Sequence, residues 1–295
     1  MDNGFKSTNH RDGCNISKVS EPVPVASENL EYSPSEEFYN TTHKYRGVAL
    51  VFNHENFSKE SWREGTNKDR DDIVQVLKDL KFSVFVHNDL KKAEVLETLE
   101  KWSKKDHTDC DCLMIVIMTH GDKELCASDV SYPVDSLWAN FVGNKCPSLV
   151  GKPKIFFIQA CRGTAVDDGV KYKRTHGRVR LSDQMDGRNF KELNSSPPMA
   201  DLLMMYSTYE GFYSFRNKEK GSWFIQSLCK ELSEEASERD LLTLLTDVSR
   251  RIAYEYQSSH KEEKFDNKKQ MPCVVSKLTK VFYFTEKTEC KLFEE

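Results

Sequence analysis

Lys154 to Gly163 reads KIFFIQACRG: an unbroken apolar run, Ile155 to Ile158, stops at Gln159, and the chain turns through Ala160, Cys161, Arg162 and Gly163. Apolar residues in succession, rather than in alternation, are what a strand buried on both faces of a parallel sheet requires. Upstream, Leu113 to Met118 (LMIVIM) has the same character and stops at Thr119, His120 and Gly121. Two such strands, each delivering a chemically capable side chain to its carboxyl end, describe an open α/β sheet, which keeps its functional groups at that edge.

The segments around these two runs fit the same class. Tyr45 to Asn53 (YRGVALVFN) is rich in β-formers, and Asp69 to Leu80 places Ile73, Val76, Leu77 and Leu80 on one helical face. Phe82 to Val86 reads as a strand, and Asp89 is placed to cap a helix whose Val95, Leu96, Leu99 and Trp102 form a stripe. Leu202 to Tyr206 is a further strand, Ser222 to Glu235 and Leu241 to Tyr256 are helices, and Cys273 to Val275 and Val281 to Phe284 are late strands. Strand and helix in alternation predict an α/β fold with a mainly parallel central sheet flanked by helices on both faces. Two stretches carry neither period. Residues 1–43 are polar, with Pro22, Pro24 and Pro34, and read as disordered. Residues 167–198 hold Lys171, Lys173, Arg174, Arg178 and Arg180 among polar neighbours, then Asn194 to Pro198 (NSSPP), and read as an internal linker. So long a structureless segment inside a domain usually marks function or mobility.

With 295 residues and 38% hydrophobic content the chain can bury a sizeable core. Forty-three Lys and Arg against 47 Asp and Glu give a formal net charge of −4, which does not mark nucleic acid as a partner. The longest apolar run, Cys112 to Met118, is seven residues against the ~20 of a membrane helix, and the start of the chain shows no signal-peptide pattern. A soluble, cytoplasmic protein with no membrane association is therefore expected, its nine cysteines reduced and mostly serving as small buried hydrophobes. A zinc site would need two complementary ligand pairs, and His107, Cys110 and Cys112 lack the second. A disulfide oxidoreductase would want Cys-x-x-Cys, where this chain has only Cys110-x-Cys112.

A lone cysteine at a strand end is ordinarily packing, and a lone histidine there ordinarily structural. The joint pattern reads differently. If the two buried strands are neighbours, their tips bring a thiol and an imidazole together, with Gly121 leaving backbone N–H groups accessible. A thiolate nucleophile, a histidine acid/base and N–H groups for an oxyanion are the parts of cysteine-dependent acyl transfer.

The pentapeptide QACRG at 159–163, with His120 lying 41 residues before Cys161, resembles the signature of the caspases. The resemblance runs from about Tyr45 to Phe284 and includes NHENF at 53–57, THG at 119–121, VGKPK at 150–154, YSFRN at 213–217, GSWFIQSLC at 221–229 and KKQMPCVVSKLTK at 268–280. It is closest to the executioner type with a short prodomain, and it implies a cysteine endopeptidase that cuts proteins after aspartate in programmed cell death. It assigns Cys161 as nucleophile, His120 as general acid/base, and the N–H groups of Gly121 and Cys161 as oxyanion donors. Arg63, Arg216 and Gln159 would clamp the substrate carboxylate; two guanidinium forks reward it with bonds of roughly 1.5 to 3 kcal/mol each and repel one another without it. Tyr213, Phe215 and Phe265 would shape the neighbouring subsite, and Ser214 and Arg216 would pair with substrate backbone as an added strand does.

The same resemblance divides the chain into a prodomain (1–43), a large-subunit part (44–166), a linker (167–198) and a small-subunit part (199–295). It implies a zymogen cut by an upstream protease, restraint by inhibitor-of-apoptosis proteins, and a homodimer of processed subunits, with Val281 to Phe284 as the expected meeting edge. No cofactor and no metal are implied. Asp183 to Asp186 (DQMD), followed by Gly187, resembles the sequence such enzymes cut, and Asp12 before Gly13 is a second processing candidate. The chain departs from the family in having Phe215 where Trp is usual, and Asp122 to Ala127 where further glycines follow the histidine. A catalytically dead relative would have lost its nucleophile, histidine or arginines; all are in place.

Overall fold

The computed structural model describes residues 36–169 and 197–288, so Asp12 and Asp186 lie outside the described residues. In chain order the elements are β1 (Tyr45–Asn53), α1 (Thr66–Asp79), β2 (Ser83–Asn88), α2 (Lys92–Ser103), β3 (Cys110–Met118), β4 (Leu125–Cys126), β5 (Ser131–Tyr132) and β6 (Lys154–Gln159). After the linker come β7 (Leu202–Tyr206), β8 (Arg216–Asn217), β9 (Gly221–Ser222), α3 (Trp223–Glu235), α4 (Leu241–Glu255) and β10 (Cys273–Ser276). Six strands form one sheet in the order β10-β7-β6-β3-β1-β2, parallel throughout except for the antiparallel edge pair β10/β7. The β4–β5 and β8–β9 hairpins stand apart from it.

The continuous apolar runs follow from burial on both faces of the pleat. Val48, Leu50, Phe52, Leu113, Ile115 and Ile117 join one core with α2, Trp138 and Phe141, while Ala49, Val51, Met114 and Val116 join the other with α1, α3 and α4. Among the described residues no helix is long and apolar enough to cross a membrane.

Two local expectations are corrected. Val281 to Phe284 is not a strand of the sheet. Val281 makes an isolated parallel bridge to Phe38, with Tyr39 N donating to Val281 O at 2.9 Å and Val281 N to Glu37 O at 2.9 Å. Phe282 and Phe284 are thereby seated in the core beside Tyr39 and Phe82, so the segment ties the two ends of the described chain together and leaves β10 as one edge of the sheet, β2 being the other. Asp89 does not cap α2. Its carboxylate accepts from the N–H groups of Glu55 and Asn56, at 2.7 and 2.9 Å, fixing the turn after β1, while α2 is closed by Glu94 accepting from Lys91 N at 2.7 Å.

Candidate active site

Strands β3 and β6 are parallel neighbours, with Met118 opposite Gln159, and Thr119 N donates to Gln159 O at 3.0 Å. That register puts His120 and Cys161 on adjacent tips. His120 Nε2–H donates to Ser61 O at 2.8 Å and its ring packs 4.9 Å from that of Phe57, so Nδ1 is left as the lone-pair nitrogen. Burial, helped by the field of Arg63 and Arg216, lowers the His120 pKa. The Cys161 thiol is pushed up by burial and drawn back by Ser214 N, which donates to Sγ at 3.4 Å, and by the same two arginines. Burial thus favours the neutral form of both the thiol and the imidazole. Gly121 lies so close to the thiol's backbone that a Cβ there would meet Cys161 O at 2.8 Å, which explains the glycine.

Below the thiol is a cavity of ≈ 270 Å³. Arg63, His120, Gln159, Cys161 and Arg216 line it, together with Thr119, Tyr213, Ser214, Phe215, His260 and Phe265. Arg63 is only 3% exposed, with Nη1 donating to His54 O at 2.9 Å and to Thr66 Oγ1 at 2.8 Å. Burial and the neighbouring Arg216 push its pKa down. Gln159 Nε2 donates to Ser214 Oγ at 2.9 Å. Gln159 Oε1 and Arg216 Nη1 are buried without a partner. Unmade bonds at buried polar atoms cost ~1 to 3 kcal/mol each, more at a charged group, so this floor is built to be completed by a ligand.

Aromatic rings stand along one wall of this cavity. Tyr213 meets Phe265 edge-on at 5.4 Å, and Phe215 stacks on Trp223 at 4.8 Å, which in turn contacts Tyr256 at 5.2 Å. A second cavity, ≈ 420 Å³, shares His120, Cys161 and Tyr213 with the first and is also lined by Gly121, Glu60, Asp122, Glu124 and Cys126. The non-glycine stretch after Gly121 folds as the β4–β5 hairpin, anchored by the Gly121–Leu125 bridge.

Three contributors were not singled out in the sequence. Ser61 acts through its carbonyl, which any residue could supply. Gln270 accepts from Phe215 N at 2.6 Å and donates to Ser207 O at 2.7 Å, orienting the YSFRN stretch; it stands within the quoted KKQMPC run. Asp69 sits in helix α1, where an acidic residue near a helix start looks ordinary.

A caspase-domain family model matches residues 46–283. Caspase-1 of Spodoptera frugiperda is 39% identical over 280 residues, 94% of this chain and 90% of its own length. Caspase drICE of Drosophila melanogaster is 42% identical over 253 residues, covering 84% of this chain and 73% of its own. The crystal structure of caspase-1 from Spodoptera frugiperda superposes with a TM-score of 0.80 at 39% identity, covering 88% of this chain and 97% of that one. The class so defined is a cysteine protease. More narrowly, this chain belongs to the caspase family.

Proposed function

We propose that the protein hydrolyses peptide bonds of protein substrates on the carboxyl side of aspartate, in programmed cell death. The observation that carries this reading is the buried Arg63 beside the half-buried Arg216, with Arg216 Nη1 and Gln159 Oε1 buried and unpartnered, in the cavity that also holds the Cys161 thiol. Neutral side chains would leave the two cations facing each other, whereas a carboxylate satisfies both.

In this reading His120 Nδ1 takes the Cys161 proton and Sγ attacks the scissile carbonyl carbon. The oxyanion then accepts from the N–H groups of Gly121 and Cys161. As the C–N bond breaks, His120 returns the proton to the leaving amine, leaving a thioester. Water, deprotonated by His120, releases the new carboxyl group and restores the thiol. The Nε2–H bond to Ser61 O keeps the ring in the tautomer this cycle needs. Ser214 and Arg216 pair with substrate backbone, and Tyr213, Phe215 and Phe265 receive the preceding side chain.

The chain is read as a zymogen with a prodomain over 1–43, cut in its 167–198 linker after Asp186 by an upstream protease and trimmed near Asp12. The processed large (44–166) and small (199–295) parts work as a cytoplasmic homodimer, subject to inhibitor-of-apoptosis proteins, and β10 supplies the open sheet edge for a second copy. A matched set of short peptides ending in Asp, Glu or Asn tests the central claim: Asp should be preferred by a hundredfold or more (about 3 kcal/mol for the lost charge-assisted bonds), and equal cleavage of the Asn peptide refutes it.

A further inference from the structure

We propose that Asp69 is the positioning residue of the aspartate pocket: its buried carboxylate holds the hairpin bearing Arg216 against the helix that follows Arg63, and supplies the negative charge that lets the two guanidiniums stand together before substrate arrives. The inference rests on the pocket assignment above.

Asp69 is fully buried in α1. Its two oxygens accept from Ser222 N at 2.9 and 3.0 Å, and Oδ1 also accepts from Gln226 Nε2 at 3.1 Å. Ser222 is the residue paired with Arg216 across the β8–β9 hairpin. It is also the N-cap of α3, its Oγ accepting from Ile225 N at 3.2 Å, so the carboxylate faces a positive helix end. The approach is possible only because residue 221 is glycine: its φ is +86°, and a Cβ there would fall 2.2 Å from Asp69 Oδ1. On the other side, α1 begins at Thr66, whose hydroxyl accepts from Arg63 Nη1 at 2.8 Å. One helix turn therefore carries the partner of Arg63 and the anchor of the hairpin that holds Arg216. The exposed Glu64–Lys218 ion pair at 2.6 Å joins the same two segments.

The charges point the same way. Arg63 hydrogen-bonds a carbonyl and a hydroxyl, both uncharged. Asp69 favours the cationic form of Arg63 and is foremost among the groups that do so for Arg216. In the resting enzyme Asp69 offsets a repulsion that the substrate carboxylate offsets when bound. Without that charge, Arg216, on a two-residue strand, is the freer of the two cations and is displaced; substrate then has to draw it back. The defect appears at low substrate concentration and vanishes at saturation.

The test is Asp69→Asn, which keeps an acceptor for Ser222 N and removes the charge. Using an Asp-Gln-Met-Asp anilide, KM should rise about tenfold with kcat per titrated Cys161 within about twofold of the parent enzyme. An unchanged or lowered KM overturns the proposal, as does a loss confined to the fraction of titratable sites, which is what a purely structural carboxylate would give. Should Asp69→Asn fail to fold, Gln226→Met removes the amide that donates to both Asp69 and Asp72 while keeping both carboxylates; a smaller KM rise with kcat retained supports the proposal and an unmoved KM overturns it. Parent enzyme that does not cut the anilide refutes the pocket assignment itself, a result distinguishable from failure of the variant.

Discussion

Arg63 is held before any substrate arrives, its Nη1 tied to His54 O and Thr66 Oγ1, so what remains for a ligand is the outer side of the guanidinium fork. Lysine at this position would keep the charge but could not make the inner bonds and present two parallel N–H groups outward. Arg63→Lys should therefore lose roughly 10- to 100-fold in kcat/KM on aspartate substrates, at about 1.5 to 3 kcal/mol per charge-assisted bond, with the fold kept by circular dichroism. Unchanged efficiency would remove Arg63 from the clamp. Cys161→Ala and His120→Ala should each abolish turnover, by roughly 10⁴-fold or more, because a nucleophile and its base act as one unit. Retention of activity in Cys161→Ala, with loss in Cys126→Ala, would move the nucleophile to the other thiol of the ≈ 420 Å³ cavity. Cys161 and His120 were readable in the sequence only as a pair, each ending an apolar run within a shared motif, and Arg63 and Arg216 only through the resemblance, since an arginine by itself reads as a solvated surface charge. Ser61 and Asp69 were not, since one works through its backbone and the other through a contact 153 residues away, at Ser222.

At the scale of elements, the sheet was readable wherever burial dictated the residues. β3 and β6 can be nothing else, because both faces of each are covered by core. Val281 to Phe284 carries the same apolar signal but spends it on seating Phe282 and Phe284 against Tyr39 and Phe82, a difference of partner that no local pattern encodes. The short β8–β9 hairpin, which sets Arg216, has two residues per strand and too little length for any period to show. His54, just after β1, gives this level its prediction. It is buried, its Nε2–H donates to Leu90 O at 3.1 Å, and burial pushes its pKa down to about 4 from an ordinary 6.5. The unfolded chain thus binds the proton that the folded chain refuses between pH 6.5 and 4. Stability should be fully present above pH 6.5 and fall as the pH drops toward 4, by up to about 3 kcal/mol from this group. A His54→Gln variant should show a shallower loss of urea-unfolding free energy over that window; an identical slope would place the acid sensitivity elsewhere.

At the scale of the molecule, the site is assembled from both sides of the 167–198 linker, Arg63, His120 and Cys161 before it and Arg216 after it. Val275, on the open edge strand β10, is the place to test dimerisation: Val275→Lys should shift light scattering toward the monomer, and a dimer of unchanged stability would exclude this edge. Cutting after Asp186 would divide the sheet between β6 and β7, yet the two pieces should stay together. The β6/β7 pairing from Lys154–Leu202 to Ile158–Tyr206 crosses the cut. So do the bridge from Phe38 to Val281, the bond from Tyr39 OH to Asp201 at 2.7 Å, and the Asp69–Ser222 contact. What the proposed cut would change is the loops. Asp167 and Asp168 are docked on the segment behind the pocket, through Lys269 N to Asp167 O at 2.8 Å and Lys268 Nζ to Asp168 at 2.5 Å. The intact chain has to connect that dock to Leu202; under the proposed processing, a free end at 186 would remove this constraint from both loops that carry Cys161 and Arg216. Processed enzyme should therefore elute as one complex and separate only on denaturation, with mass spectrometry finding a new N-terminus at Gly187. Asp186→Ala should remain a single chain with activity lower by roughly tenfold or more, the size of effect expected when the competent arrangement is a minor state. A mature terminus after Asp168 or Asp183 would refute the site, and full activity of the uncut Asp186→Ala chain would refute the switch.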